Sequence, residues 1–311
     1  RFNNSTIQQF IFLTPNFKHM NKYEELFQKY NCELDDAQIQ KEVEKIRSKH
    51  FAENNNIDVY KQCLNCIDLT SLNGTDTDAQ IIKMTQKVNK FHETYPNIPN
   101  VGAICVYPSM VPVVKETLTE NIGIASVAAG FPASQTFIEV KVAETAMAVM
   151  EGATEIDVVI SIGKFLSGDY ETVREELTEI KSACRNAHLK VIIESGALGS
   201  ATNIKKASIL AMSAGADFIK TSTGKIPVAA TPEATYIMCQ AIKEWHDMTG
   251  EKVGYKPAGG IVTTEDAVTH YTIVKEVLGK EWLNNKLFRI GASRLANNLL
   301  SSIKGEEIKY F

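Results

Sequence analysis

Short runs rich in apolar and β-branched residues alternate along most of this chain with longer amphipathic stretches. The runs are CLNCIDL (63–69), VGAICVY (101–107), NIGIASVA (121–128), EIDVVI (155–160), KVIIES (190–195), ADFIK (216–220), KVGYK (252–256) and LFRIG (287–291), which predicts eight strands. Between them, stretches such as TFIEVKVAETAMAVMEG and YETVREELTEIKSACRNA carry helical spacing and close on Gly or Asn. Alternation of this kind implies parallel strands joined by right-handed crossovers, and continuously apolar strands are covered on both faces. Eight βα units over about 250 residues match the count and size of a TIM (β/α)8 barrel; a doubly wound open sheet is the alternative that periodicity leaves open. Upstream, LDDAQIQKEVEKIRSKHFAEN from Leu34 predicts a surface helix that stops at the Asn54–Asn56 run. The expected division is an irregular N-terminal tail over 1–33, a helical extension over 34–60, the α/β barrel over 61–304 and a C-terminal tail over 305–311.

Composition narrows the function. The 311 residues carry a net charge of -4 and are 44% hydrophobic, as in a soluble chain with a large core. There is no basic footprint for nucleic acid and no run long enough to span a membrane. Six scattered cysteines, Cys32, Cys63, Cys66, Cys105, Cys184 and Cys239, fit reduced thiols in the cytoplasm. The first residues read as a tail ahead of a start at Met20, with only Arg1 and Lys18 as cations, too few for a basic targeting face. Cys63 and Cys66 spell C-x-x-C, but residues three apart on a strand point to opposite faces, so no metal or disulfide is expected there. His19, His50, His92, His188, His246 and His270 lack metal-binding spacing and are expected at the surface or at helix ends.

The chemistry is expected at the C-terminal ends of the strands, where this fold keeps its active sites. Lys220 ends ADFIK, Lys256 ends KVGYK, Asp157 lies in EIDVVI and Asp68 in CLNCIDL. Each buried charge would cost roughly several kcal/mol if left unpaired. A purely structural network is the bland alternative, but four such residues at one rim favour a function. Two neighbouring amines each disfavour the other's proton, and burial acts in the same direction, so one amine is free near neutral pH and nucleophilic towards carbonyl carbon. Asp157 is then placed to move protons and Asp68 to hold Lys256.

TSTGK (221–225), AGG (258–260) and GAS (291–293) follow strands six, seven and eight, and their small residues let backbone amides approach an anion. A phosphate site after strands seven and eight is a habit of the fold. No Walker A or Rossmann loop is present, since the glycine spacing differs and Ile226 stands where a Ser or Thr would hold magnesium. Cys105, in AICVYP, either looks into the site or packs as a small hydrophobe.

On DLTSLN (68–73), CVYP (105–108), SVAAGFP (126–132), GATEIDVVI (152–160), KVIIESG (190–196), DFIKTSTGK (217–225), KPAGG (256–260) and RIGAS (289–293), the chain resembles the deoxyribose-phosphate aldolases. These are class I aldolases with a TIM-barrel fold; the resemblance runs from about Cys63 to Leu300 and is nearer the eukaryotic branch. It implies reversible retro-aldol cleavage of 2-deoxy-D-ribose 5-phosphate to D-glyceraldehyde 3-phosphate and acetaldehyde, in deoxyribonucleoside catabolism, without metal or cofactor. The implied partner is a phosphorylated sugar, with no nucleic acid or membrane, and a homodimer is common in the family.

Residue by residue, the resemblance places the Schiff-base lysine at Lys220, the lysine that lowers its pKa at Lys256 and the acid/base aspartate at Asp157. The phosphate contacts fall on Gly224, Lys225, Gly259, Gly260, Gly291 and Ser293. Two departures stand out. Arg294 occupies a position where many relatives have Ser or Thr, and it either pairs with phosphate or points away. The chain ends EEIKYF, so Tyr310 is followed by Phe311 and is out of register with the tyrosine tail that takes part in proton transfer in some members. The rivals are another class I sugar-phosphate aldolase or transaldolase, a pyridoxal phosphate barrel enzyme, and a non-catalytic phospho-sugar-binding barrel. The last needs none of Lys220, Lys256 and Asp157.

Overall fold

A computed structural model describes residues 21–311. Arg1, Lys18, His19 and Met20, and the readings that fall on them, lie outside the described residues. Eight strands form one all-parallel sheet: β1 (Ile67–Thr70), β2 (Ala103–Val106), β3 (Gly123–Ala128), β4 (Glu155–Val159), β5 (His188–Ile192), β6 (Phe218–Lys220), β7 (Gly254–Lys256) and β8 (Ile290–Ala292). Their order is β7-β6-β5-β4-β3-β2-β1-β8. The ring closes between β7 and β8 through the bridges Tyr255↔Phe288 and Ala258↔Gly291. Backbone bonds from Arg289 N to Tyr255 O (3.0 Å) and from Gly291 N to Pro257 O (2.9 Å) carry that seam. This is the (β/α)8 barrel, and the open-sheet alternative falls.

The strands are buried because helices cover their outer face and side chains fill the inside. Inside, the packing is close enough to require glycine at one position. Gly254 stands beside Phe218 across the β6–β7 ladder, and a Cβ there would lie 2.3 Å from the Phe218 ring. The ring occupies the interior below the polar residues of the site, with Lys190 Nζ 5.9 Å from its centroid.

Among the described residues, three helices precede β1: α1 (Lys22–Lys29), α2 (Asp36–Asn54) and α3 (Ile57–Asn65). The first corrects the expectation of irregular chain before residue 34. Asn21 caps it, and its apolar face is fastened by Phe27 against Tyr170 at 5.0 Å, edge to face. Asp35 caps α2 through the amides of Ala37 and Gln38, and Ile39 and Val43 bury against Ala201, Ile237 and Ile273 on the barrel helices.

Asn56 accepts from Val59 N and restarts the helix as α3, which runs through Cys63. The strand expected over 63–69 therefore begins only at Ile67, and the opposite-faces reason for discounting C-x-x-C does not apply. Both thiols are nonetheless free and fully buried. Burial pushes Cys66 up to about 12, and Cys63 also lies well above the usual thiol value. His270 is a second correction. Far from a helix end, it sits buried in the middle of the helix Thr264–Leu278, with Nδ1 2.7 Å from Thr235 Oγ1, and burial pushes it down to about 4. No helix among the described residues is long and apolar enough to cross a membrane.

Candidate active site

The strand registers decide which charges meet. Asp157 pairs across the ladder with Lys190, and Lys220 pairs with Ile192 on one side and Lys256 on the other. Residues two apart share a face, so Glu155 lies one layer below Asp157, and Arg289 one layer below Gly291. The sheet thus assembles a cluster of seven charged side chains, in which Asp68, Asp157, Lys190 and Lys256 are fully buried.

Asp157 is the hub. Its Oδ2 accepts from Lys220 Nζ at 2.8 Å and from Lys256 Nζ at 2.7 Å, while Oδ1 accepts from Lys190 Nζ at 3.2 Å. Lys256 also donates to Asp68, which accepts from Arg289 at 2.6 Å. Arg289 reaches Glu155 at 2.8 Å, and Glu155 accepts from Lys190 as well. Gly291 makes this possible, because a Cβ there would stand 3.2 Å from Lys256 Cε and 2.7 Å from Ala258 Cβ.

Charge bookkeeping then separates the two catalytic-candidate lysines. Asp68, Glu155 and Asp157 are formally balanced by Lys190, Lys256 and Arg289, so a proton on Lys220 would be a fourth buried cation against three anions. Burial pushes the Lys220 amine below the usual lysine value; Asp157 opposes the fall and Lys256 adds to it. Burial alone would lower Lys256 too, but Asp157 and Asp68 overturn that and hold its amine above the lysine range. Against the penalty of burial, Lys190, Lys220 and Lys256 hold Asp157 well below the usual carboxylate range. Of the two amines, Lys220 is thus the one whose proton its surroundings disfavour.

A cavity of about 770 Å³ opens over this cluster at the C-terminal ends of β1, β6, β7 and β8. Among the described residues, Lys220 is the one member of the cluster that lines it. Farther out the wall is made of Gly224, Lys225, Gly259, Gly260, Gly291 and Ser293, so all six expected phosphate contacts come together. Gly224, Gly259 and Gly260 have φ of +73°, +83° and +80°, a left-handed region natural only to glycine. A Cβ on Gly259 would also come 2.9 Å from Gly224 Cα, so the two loops touch backbone to backbone. Buried Glu194 braces the first loop, accepting from Thr223 N at 3.1 Å and from its hydroxyl at 2.6 Å. Lys225 does not point freely, since its Nζ donates to the Leu72 carbonyl on the loop after β1.

The chain matches the family model described as DeoC/LacD family aldolase over residues 63–277. The chain belongs to the DeoC/LacD aldolase family. It is similar to deoxyribose-phosphate aldolase of Homo sapiens, 44% identical over 244 residues that cover 75% of this chain and 77% of that one. The corresponding protein of Mus musculus is 45% identical over 249 residues, with the same coverage. Among solved structures, an aldolase named QR15 has a TM-score of 0.63 and 29% identity over 77% of this chain and 96% of that one.

In this member of the DeoC/LacD aldolases, not every expected residue reaches the cavity. Cys105 does not line it; the thiol packs with Leu72, Ala125 and Val127, and burial pushes it up. Tyr310 is turned away, its hydroxyl donating to Lys87 O at 2.7 Å and its ring against Tyr95 at 5.4 Å. Arg294 is exposed and lines the outer wall.

Lys190, Glu155 and Arg289 were missing from the sequence reading. The signal for Glu155 was its place two residues before Asp157 on one strand, and that for Lys190 its place at the head of the next. Lys190→Met is expected to cost about 3 kcal/mol of stability, because it strands buried carboxylates. Denaturant unfolding measures this, and adding Glu155→Gln should restore part of the loss. Unchanged stability in the single variant would show that the network contributes nothing to the fold.

Proposed function

We propose that this chain cleaves 2-deoxy-D-ribose 5-phosphate reversibly to D-glyceraldehyde 3-phosphate and acetaldehyde through an imine on Lys220. The observation that carries this reading is that the amine lowered by its surroundings is also the one cluster member facing the cavity. The unprotonated Lys220 adds to the C1 aldehyde, and loss of water leaves the imine, which is protonated and acts as an electron sink. Asp157, 2.8 Å from Lys220 Nζ, is within reach of the substrate directly or through one water. It takes the proton of the C3 hydroxyl. The C2–C3 bond then breaks, its electrons pass into an enamine, and glyceraldehyde 3-phosphate departs. Protonation of the enamine carbon and hydrolysis of the imine release acetaldehyde and restore the amine.

Lys256 keeps its own proton and thereby discourages one on Lys220, while Asp68 fixes Lys256 from the far side. The phosphate sits on the amides of Gly224, Gly259 and Gly260, with Lys225, Gly291 and Ser293 around it, and its binding energy positions the scissile bond. Borohydride reduction in the presence of 2-deoxyribose 5-phosphate, followed by peptide mass mapping, tests the assignment. The expected product is a covalent adduct on Lys220; an adduct on Lys256 or Lys225, or no adduct, rejects it.

A further inference from the structure

Beyond the glycine loops the cavity continues to a basic wall. Lys83 and Lys87 reach it from the helix Asp78–Asn89, and Arg294 reaches it from the start of the helix Leu295–Lys304. Lys83 and Lys87 are four residues apart, stacked on one helix face, a like-charge spacing that weakens a helix unless an anion answers it. Among the described residues, no Asp or Glu lines this cavity. The inner amines are already engaged, Lys220 with Asp157 at 2.8 Å and Lys225 with the Leu72 carbonyl. A single phosphate on the amides of Gly224, Gly259 and Gly260 leaves the three outer cations with nothing to bind, in a cavity of about 770 Å³.

We infer that Lys83, Lys87 and Arg294 form a second anion subsite, so that the cavity takes a diphosphate group, free or carried on a nucleoside. One phosphoryl group rests on the glycine loops and the next on the basic wall. This rests on the phosphate position given under Proposed function and adds an occupant to it. Arg294 offers the planar fork that suits two phosphoryl oxygens, and the lysines add point charges. Such a ligand covers the approach to Lys220 and inhibits the aldolase competitively.

Calorimetry at fixed ionic strength, on the whole chain, with inorganic phosphate, pyrophosphate and ADP as probes, tests this. Pyrophosphate should bind about tenfold tighter than phosphate, as three moderately exposed ion pairs provide. In the variant K83Q/K87Q/R294Q that advantage should fall to about twofold, with phosphate binding changed less than about twofold. An advantage that survives in the variant, or none in the parent, overturns the subsite. ADP binding as tightly as pyrophosphate would place recognition in the diphosphate alone, and tighter binding would add the nucleoside; ADP weaker than phosphate rejects the nucleoside-borne ligand. If phosphate itself does not bind, the phosphate position falls and the subsite with it. Phosphate that binds without a pyrophosphate advantage sinks the subsite alone.

Discussion

Lys220→Leu is expected to lower turnover of 2-deoxyribose 5-phosphate by about 10⁴-fold or more, since the covalent route is lost outright. The same change should leave the fold nearly as stable as before. A proton on Lys220 would be the cation in excess of the buried cluster, so its removal leaves Asp68, Glu155 and Asp157 still balanced by Lys190, Lys256 and Arg289. An apolar side chain of similar size in such a place is often neutral or better for stability. Acetaldehyde release measured alongside a thermal melt reads both effects. Activity retained within about tenfold of the parent would mean that another amine carries the imine. This contrasts with Lys190, whose removal is expected to damage the fold because its charge is one of the three that balance.

Lys256→Leu has the next largest expected effect, a fall in kcat/KM of about 10²- to 10³-fold at neutral pH that shrinks as pH rises. Lys256 carries a positive charge that lowers the Lys220 amine. Without that charge Asp157 and Asp68 face fewer cations, so Lys220 holds its proton more tightly and its pKa rises. Only the unprotonated amine attacks, so the acid limb of the rate profile moves to higher pH and activity returns above it. A loss that stays constant across the alkaline range would show that Lys256 acts by something other than its charge.

The sequence made the barrel legible because its strands are short apolar runs at regular intervals, and buried parallel strands have that pattern. It failed at Cys63, where apolar residues run on both sides of the junction in CLNCIDL; length and composition cannot divide such a run between a helix end and a strand start. At α1 the helix is stabilised by aromatic contacts with Tyr170, far away in the chain, which no local pattern reports. The upper charges were found because a lysine at the end of an apolar strand is conspicuous. Lys190 and Arg289 were not: Lys190 opens the apolar run KVIIES, where a cation looks like the end of a loop, and Arg289 stands just ahead of β8. The glycine loops were legible as places where an anion could be approached closely, but the turning of Lys225 to the Leu72 carbonyl was not.

The Phe218 ring that fills the space over Gly254 has one more consequence. It lies within the barrel beside Lys190, and neither residue lines the cavity that Lys220 faces. In the proposed reaction, the proton that Asp157 takes from the C3 hydroxyl oxygen is then one that the same carboxyl returns to the enamine carbon C2, so a single buried group serves both proton steps.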